Sequence, residues 1–261
     1  MNNENEKEPN FGRRKFLKGA GVAAVSLPAI VASQNGEAAH PAPLTHLAQA
    51  QSPAPTPPQA ATPTVPTSAG YQILSLDEAA FTEALVDHMW PKDQLSPSGT
   101  ELGIATFIDR QLAGAFGQGD RLYLQGPFRK GKPQHGYQLA LTPAQYYSSG
   151  ISGASAACQK RFGQSFEKIA AGDREQFLQD LAGGKVKEGA VDLAGWFNGL
   201  VYPLFVQGAF ADPIYGGNRD KVAWKMIGYP GLPAVYKQDV VRFRGMPHPR
   251  STNPQSIQDL S

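Results

Sequence analysis

The sequence predicts an all-α fold: an irregular helical domain with long loops and an extended carboxy-terminal arm. Three observations predict it. Apolar residues recur at spacings of three and four in several segments between Ser75 and Ile227. Helix-starting signals, Ser75-Leu-Asp-Glu78 and Thr142-Pro143, stand at the heads of two of these segments. Beyond them, Pro230, Pro233, Pro247, Pro249 and Pro254 leave no room for a long regular element.

In chain order, the first helix opens at Ser75, whose spacing to Glu78 is that of a capping box, and ends before Pro91. Leu76, Ala80, Leu85 and Met89, with Phe81 and Ala84, form its expected apolar side. Pro91 to Ser98 reads as a loop. A second helix is expected from about Thr100 to Leu112, with Leu102, Ala105, Phe107, Ile108 and Leu112 facing inward. The Gly-rich interval 114–136 reads as an irregular loop. Thr142 then caps a third helix, with Pro143 at its first position. Its stripe of Tyr147, Ile151, Ala154, Cys158 and Phe162 places Cys158 on the buried face, as a small core residue rather than a reactive thiol. Gly150, Ser152, Gly153, Ser155, Ala156 and Ala157 leave room for a second backbone and lower helix propensity, so this helix needs tertiary support.

A short fourth helix begins at Asp173 and stops at Gly183-Gly184. The most apolar element runs from Val191 to Phe210 and should kink at Pro203. Asp212 to Asp220 is turn-rich, Trp224 to Ile227 is a short apolar piece, and the rest is an irregular arm.

Ahead of this domain, over residues 70–261, lie two segments of other kinds. Residues 1–33 read as a twin-arginine export signal: Arg13 and Arg14, then Phe16, Leu17 and Lys18, then an uncharged run from Gly19 to Ala32. That run is shorter than the ~20 residues that span a bilayer. Cleavage is expected after Ser33 or near Ala38–Ala39. The Gly19-Ala20-Gly21 string imitates a dinucleotide fingerprint but follows arginines rather than a strand. Residues 34–69, rich in Pro, Ala, Thr and Gln, read as a disordered linker. At ~3.1 Å per residue it would reach on the order of 100 Å.

Composition narrows the function. The chain has 24 Lys plus Arg against 22 Asp plus Glu, without the basic patch that nucleic acid requires. With 1 Cys it forms no internal disulfide and has no covalent haem, iron–sulfur or zinc cysteine motif. A twin-arginine route carries folded proteins, so a cofactor is expected on a partner and none on this chain. Among the histidines, His40 and His46 fall in the linker, His88 near a helix end, and His135 and His248 in loops. No pair has the helical spacing of a metalloenzyme, and there is no nucleophile elbow.

The Asp212–Asp220 loop is the one candidate for chemistry. Its glycines permit a tight turn across which Asp212 and Asp220 can accept hydrogen bonds or pair with Arg219. As oxygen ligands, the two acids and Asn218 fit Ca²⁺ only loosely. The plainer reading is a loop whose polar side chains satisfy one another and tie two segments together. Both readings stay open on the residues alone.

The string from Phe210 to Gly231, with Asp212-Pro-Ile-Tyr-Gly-Gly-Asn-Arg-Asp220 at its centre, closely resembles the signature of the gluconate 2-dehydrogenase subunit 3 family. Looser likeness extends over Phe81–Pro91, Gly103–Ile108 with Asp109, Gly126-Pro127-Phe128, and Arg161-Phe162-Gly163 with Phe166. The resemblance implies a small (gamma) subunit, itself non-catalytic, of a membrane-bound dehydrogenase acting on sugars or sugar acids. FAD would sit on a large partner subunit and haem c on a cytochrome c subunit. This chain would engage the Tat translocase on the flavoprotein's behalf and reside in the periplasm, on the outer face of the cytoplasmic membrane. Attachment there would be indirect or through an uncleaved signal. It further implies interface or loop-ordering roles for Asp212, Tyr215, Gly216, Gly217, Asn218, Arg219, Asp220 and Trp224. Trp196, Phe197, Tyr202, Phe205 and Trp224 are the expected aromatic anchors, as interface or as core. The rival expectations are a stand-alone exported enzyme or metal-binding protein using the Asp212–Asp220 loop, and an export chaperone with no place in a mature complex.

Overall fold

The computed structural model describes residues 70–260 apart from 130 and 234; the expected export signal and linker lie outside the described residues. Among the described residues the fold is helical, with no strand beyond one isolated parallel bridge between Gly231 and Gln255.

Helix α1 (Leu76–Met89) starts where the capping box places it. The Glu78 amide donates to Ser75 Oγ at 3.4 Å, and the Ser75 amide donates to Glu78 Oε2 at 2.9 Å. Its buried face is Ala79, Phe81, Thr82, Leu85, Val86 and Met89. Leu76 is 90 % exposed, against expectation. At 100° per residue, Leu76 and Ala80 fall on the far side of the helix from Thr82, Leu85 and Met89.

Helix α2 (Ile104–Ala113) begins later than the expected Thr100, because Gly103 is left-handed at φ 83° and interrupts the turn before it. The interval after it is not wholly irregular: α3 (Ala115–Gln118) adds one turn between Gly114 and Gly119, and Pro133–His135 is a 3₁₀ turn. Helix α4 (Pro143–Phe162) follows its predicted cap and buries Tyr147, Ile151, Ala154 and Cys158. Of the small residues, Gly153 admits a second backbone as expected, Gly150 admits an indole ring instead, and Ser152 and Ala156 are exposed. A Cβ on Gly150 would sit 2.2 Å from the Trp196 ring, and one on Gly189 would sit 2.8 Å from Gly153 Cα.

Helix α5 (Ala171–Ala182) starts two residues before the expected Asp173. No side chain caps its first residue. Instead, the Arg174 guanidinium donates to the carbonyls of Phe166, Glu167 and Ile169 at 3.2, 3.0 and 3.2 Å, bracing the entry loop. The apolar run then forms α6 (Leu193–Trp196), a π-helical segment Phe197–Val201, and α7 (Tyr202–Phe210). A wide turn stands just before Pro203, where the kink is expected. Pro203 lacks an N–H and would clash with the carbonyl of Gly199, and the π-turn relieves that crowding while the Tyr202 amide bonds to Phe197 O.

These helices enclose one core. Phe81, Tyr147, Phe166, Phe177 and Trp196 are buried in it, with Phe81 and Phe166 rings 4.5 Å apart. Helix α2 lies close on α7, where a Cβ on Gly208 would meet Phe107 Cδ1 at 3.0 Å. The chain then turns through 3₁₀ turns at Pro213–Tyr215 and Arg219–Lys221 into α8 (Val222–Ile227). The arm carries α9 (Asp239–Arg242) and returns through the Gly231–Gln255 bridge to a 3₁₀ turn at Ile257–Leu260.

Candidate functional site

The loop from Ala211 to Lys221 joins three parts of the chain: the head of α2, the end of α7 and the returning arm. Asn218 is its hub. It is fully buried at φ 45°, a left-handed conformation that Asn tolerates better than most residues. Its Nδ2 donates to Ala211 O at 3.0 Å, and its Oδ1 accepts the Ala223 amide at 2.9 Å. One side chain thereby closes the loop and caps the first turn of α8.

The glycines serve close approach as well as turning. A Cβ on Gly217 would lie 2.1 Å from Gly208 O, and one on Gly103 would lie 2.2 Å from Gly216 O. Gly216, at φ 100°, also rests against the Arg110 guanidinium. The Arg219 amide bonds to Leu102 O at 3.0 Å and its Nη1 to Glu101 O at 3.2 Å. The head of α2 is therefore latched to the loop by main-chain carbonyls.

Asp212 works on both sides of the junction. Its Oδ1 accepts the Ile214 amide at 3.1 Å and its Oδ2 accepts the Ile257 amide at 2.8 Å. Beside it, Lys221 Nζ meets Asp259 Oδ2 at 2.8 Å, and this contact chiefly holds the Asp259 carboxyl down to about 2. Trp224 closes the floor, donating from Nε1 to Phe210 O at 2.8 Å.

The expected site residues thus come together, except that Tyr215 and Asp220 face outward. No pairing of Arg219 with Asp212 or Asp220 stands among the ion pairs of the described residues; the Arg219 guanidinium is turned to the Glu101 carbonyl instead. Three non-glycine residues in four, Asn218, Asp220 and Lys221, hold positive φ, so the neighbours over-determine this backbone. Of the expected aromatic anchors, Trp196, Phe197, Phe205 and Trp224 are buried in this chain's own core, and Tyr202 is half-buried. The residues Arg13, Arg14, Phe16, Leu17 and Lys18 lie outside the described residues.

Other titratable groups serve packing. Burial, with Glu167 nearby, pushes the Cys158 thiol up to about 12. His88 Nε2 meets Glu175 at 2.8 Å, and His248 Nε2 meets Asp239 at 3.3 Å. No group of three or more His, Cys, Asp or Glu among the described residues is placed to hold a metal ion. No described helix is long and apolar enough to cross a membrane. An open groove of about 500 Å³ beside α4, lined by Gln145, Ser148, Ser152 and Gly189, does not involve the loop.

Sequence reasoning passed over Asp109 as a working residue. It is buried, and its carboxylate accepts the amides of Gln72, Ile73 and Leu74 at 2.7, 3.0 and 3.1 Å. That anchors the start of the domain to α2. The signal was present: Ala105, Asp109 and Leu112 follow helical spacing, and an acid on an apolar stripe must find donors.

Residues 76–231 match the family model described as Gluconate 2-dehydrogenase subunit 3. Neither the curated proteins nor the solved structures give a significant match. The match covers the helical core and the Ala211–Lys221 loop and stops at the bridge residue Gly231, short of the returning arm.

Proposed function

The chain belongs to the gluconate 2-dehydrogenase subunit 3 family and is therefore a subunit of a multi-subunit dehydrogenase; from that premise we propose that it is the non-catalytic small subunit of a periplasmic, membrane-associated, FAD-dependent complex of the gluconate 2-dehydrogenase type. Its work is binding. It folds with the flavoprotein before export, supplies the twin-arginine address at Arg13 and Arg14, and stabilises the assembly afterwards. FAD resides on the large subunit and haem c on a cytochrome c subunit. Both belong to partners.

One observation carries the non-catalytic part of this reading. A reactive loop keeps polar groups free to meet a reacting atom. Here Asp212, Asn218 and Arg219 are engaged with main-chain atoms of their own chain, which leaves Tyr215 and Asp220 as the loop's outward-facing polar side chains. Such a loop orders a surface.

Recovery of the tagged chain from detergent-solubilised membranes, with an absorption spectrum, tests the reading. Flavin and c-type haem bands on co-purifying subunits are expected. A chain that emerges alone and colourless, or that oxidises sugar acids by itself, overturns it. Replacing both arginines, Arg13→Lys with Arg14→Lys, should leave this chain and the dehydrogenase activity together in the cytoplasm.

A further inference from the structure

Between α3 and α4, residues 120–141 leave the helical body and return to it at one neck. A Cβ on Gly119, just before them, would lie 3.7 Å from both Thr142 Cγ2 and Pro143 Cδ, so the two ends of the loop meet. Leu124 folds back on this neck, its Cδ1 3.1 Å from the same position. Tyr137 ties the returning limb to the body. Its ring stacks on Tyr146 of α4 at 4.1 Å, and its hydroxyl donates to Leu141 O at 3.1 Å. Leu124 and Tyr137 are half-buried, and the described residues between them are exposed. A connection longer than ~15 residues inside a compact domain is uncommon unless it has work to do.

The loop is cationic, and it carries apolar side chains among its charges. Its sequence holds Arg121, Arg129, Lys130 and Lys132 against one acid, Asp120. Four cations and one acid leave a net +3 here, on a chain whose formal net charge is +2, so the rest of the chain taken together is not cationic. Leu122, Tyr123 and Phe128 are 45, 79 and 37 % exposed, and none of them joins the hydrophobic core. Leu122 and Tyr123 follow Arg121 directly, and Phe128 precedes Arg129.

That interleaving selects the occupant. The centre of a protein interface is depleted in charge, and here every apolar side chain has a cation close by in sequence. Four cations fall short of the basic patch that nucleic acid requires. They are enough for an anionic bilayer, which recruits clusters of about four to eight Lys and Arg. At such a surface apolar and aromatic side chains enter the boundary between headgroups and acyl chains, while Arg and Lys keep their charge at the phosphates.

We propose that the tip of this loop, with Arg121, Leu122, Tyr123, Phe128, Arg129 and Lys132, is a membrane-contact surface for a bilayer containing anionic phospholipid. The contact fixes which face of the domain meets the bilayer, which a linker reaching on the order of 100 Å cannot do. It concerns this chain's own affinity for lipid and does not rest on the small-subunit reading.

Trp90, Trp196 and Trp224 are buried, so an indole placed on the loop reports its contact with lipid. Tyr123→Trp, in the full-length chain, is mixed with vesicles of phosphatidylglycerol and phosphatidylethanolamine whose acyl chains carry bromine. Its fluorescence should shift to the blue and be quenched. Leu95→Trp, at an equally exposed position outside the loop, should show neither change. Adding Arg121→Gln, Arg129→Gln and Lys132→Gln to the loop reporter should raise the lipid concentration for half-maximal quenching at least tenfold, since each cation is worth about fivefold at an anionic surface. The thermal melt should stay unchanged, because all three side chains are exposed. Absence of quenching by the anionic vesicles overturns the inference. Equal quenching by phosphatidylcholine vesicles, or equal quenching of the Leu95→Trp reporter, overturns it too, because neither the charge nor the loop would then matter. If the anionic vesicles leave the loop reporter unquenched while the triple replacement costs co-purifying subunits, the loop belongs to a protein partner and the inference fails. Failure of the unaltered chain to recover flavin bears on the small-subunit reading alone.

Discussion

Around Trp196 the molecule is held by apolar rings; around Asn218 it is held by main-chain hydrogen bonds. The core brings Phe81, Tyr147, Phe166, Phe177 and Trp196 within reach of one another, with ring separations from 4.5 to 6.4 Å. Such contacts are non-directional, and a neighbour can shift a little to fill a gap. The junction has few apolar side chains. It relies on Gly103, Gly216 and Gly217 at backbone contact and on Asp212, Asn218 and Arg219 bonded to peptide groups. The core therefore tolerates change in kind but not in bulk, whereas the junction is sensitive to a single methyl.

The largest expected effect tests the core. Trp196→Ala removes a ring packed on Phe81 and Tyr147 and leaves a cavity, and should cost about 3–5 kcal/mol in urea unfolding. A loss below about 1 kcal/mol, outside the usual range for such a truncation, would mean that the core is not the main support. The junction tests the opposite property. Gly217→Ala adds one methyl against Gly208 O and should cost about 1–3 kcal/mol. Ile151→Val, which removes one methyl from the buried face of α4, should cost about 0.5–1.5 kcal/mol. If the two single-methyl changes cost the same, the contrast fails. Asn218→Ala leaves the buried Ala223 amide without its acceptor, at about 1–3 kcal/mol. It should also loosen the Ile257–Leu260 turn, which hydrogen exchange reads directly.

The same contrast explains what was legible in the sequence. Periodicity exposed the core because helix burial repeats every three or four residues, and the Thr142 cap with the Tyr147–Cys158 stripe stands where that rule puts it. Leu76 misled because grouping it with Leu85 and Met89 overlooks the 100° per residue that sets it on the opposite side of the helix. The π-segment was hidden as well, since a Pro announces crowding but not how the backbone relieves it. The junction was visible as a motif and opaque as a structure. Arg219 finds Glu101 across 118 positions and Asp212 finds Ile257 across 45, and no local pattern encodes such partners. The family match stops at Gly231, so the arm that completes the junction from residue 255 onward lies beyond it.

The smallest expected effect decides which region yields first in acid. Each region holds an aspartate well below its ordinary value near ~3.9. In the helical core Asp180 is held at about 2 chiefly by Arg161, at 2.8 Å, and then by Lys185, at 3.0 Å. At the junction Asp259 is held at about 2 chiefly by Lys221. A carboxyl lowered on folding adds stability that is complete above its unfolded value and is lost as pH falls through the folded one. Both contributions should therefore vanish between about pH 4 and pH 2. Lys221→Met removes the junction's share and should flatten the acid limb of the stability curve without moving stability at pH 3 or below by as much as at pH 7. Arg161→Met should do the same for the core. If the junction is the weaker link, exchange of the Ile257 amide should rise at a higher pH than that of the α5 amides in the unaltered chain. Lys221→Met should bring that early exchange to pH 7 while leaving α5 protected. Simultaneous exchange in both regions would show that arm and core unfold as one unit, and the separation drawn between ring packing and main-chain bonding would then describe composition rather than cooperativity.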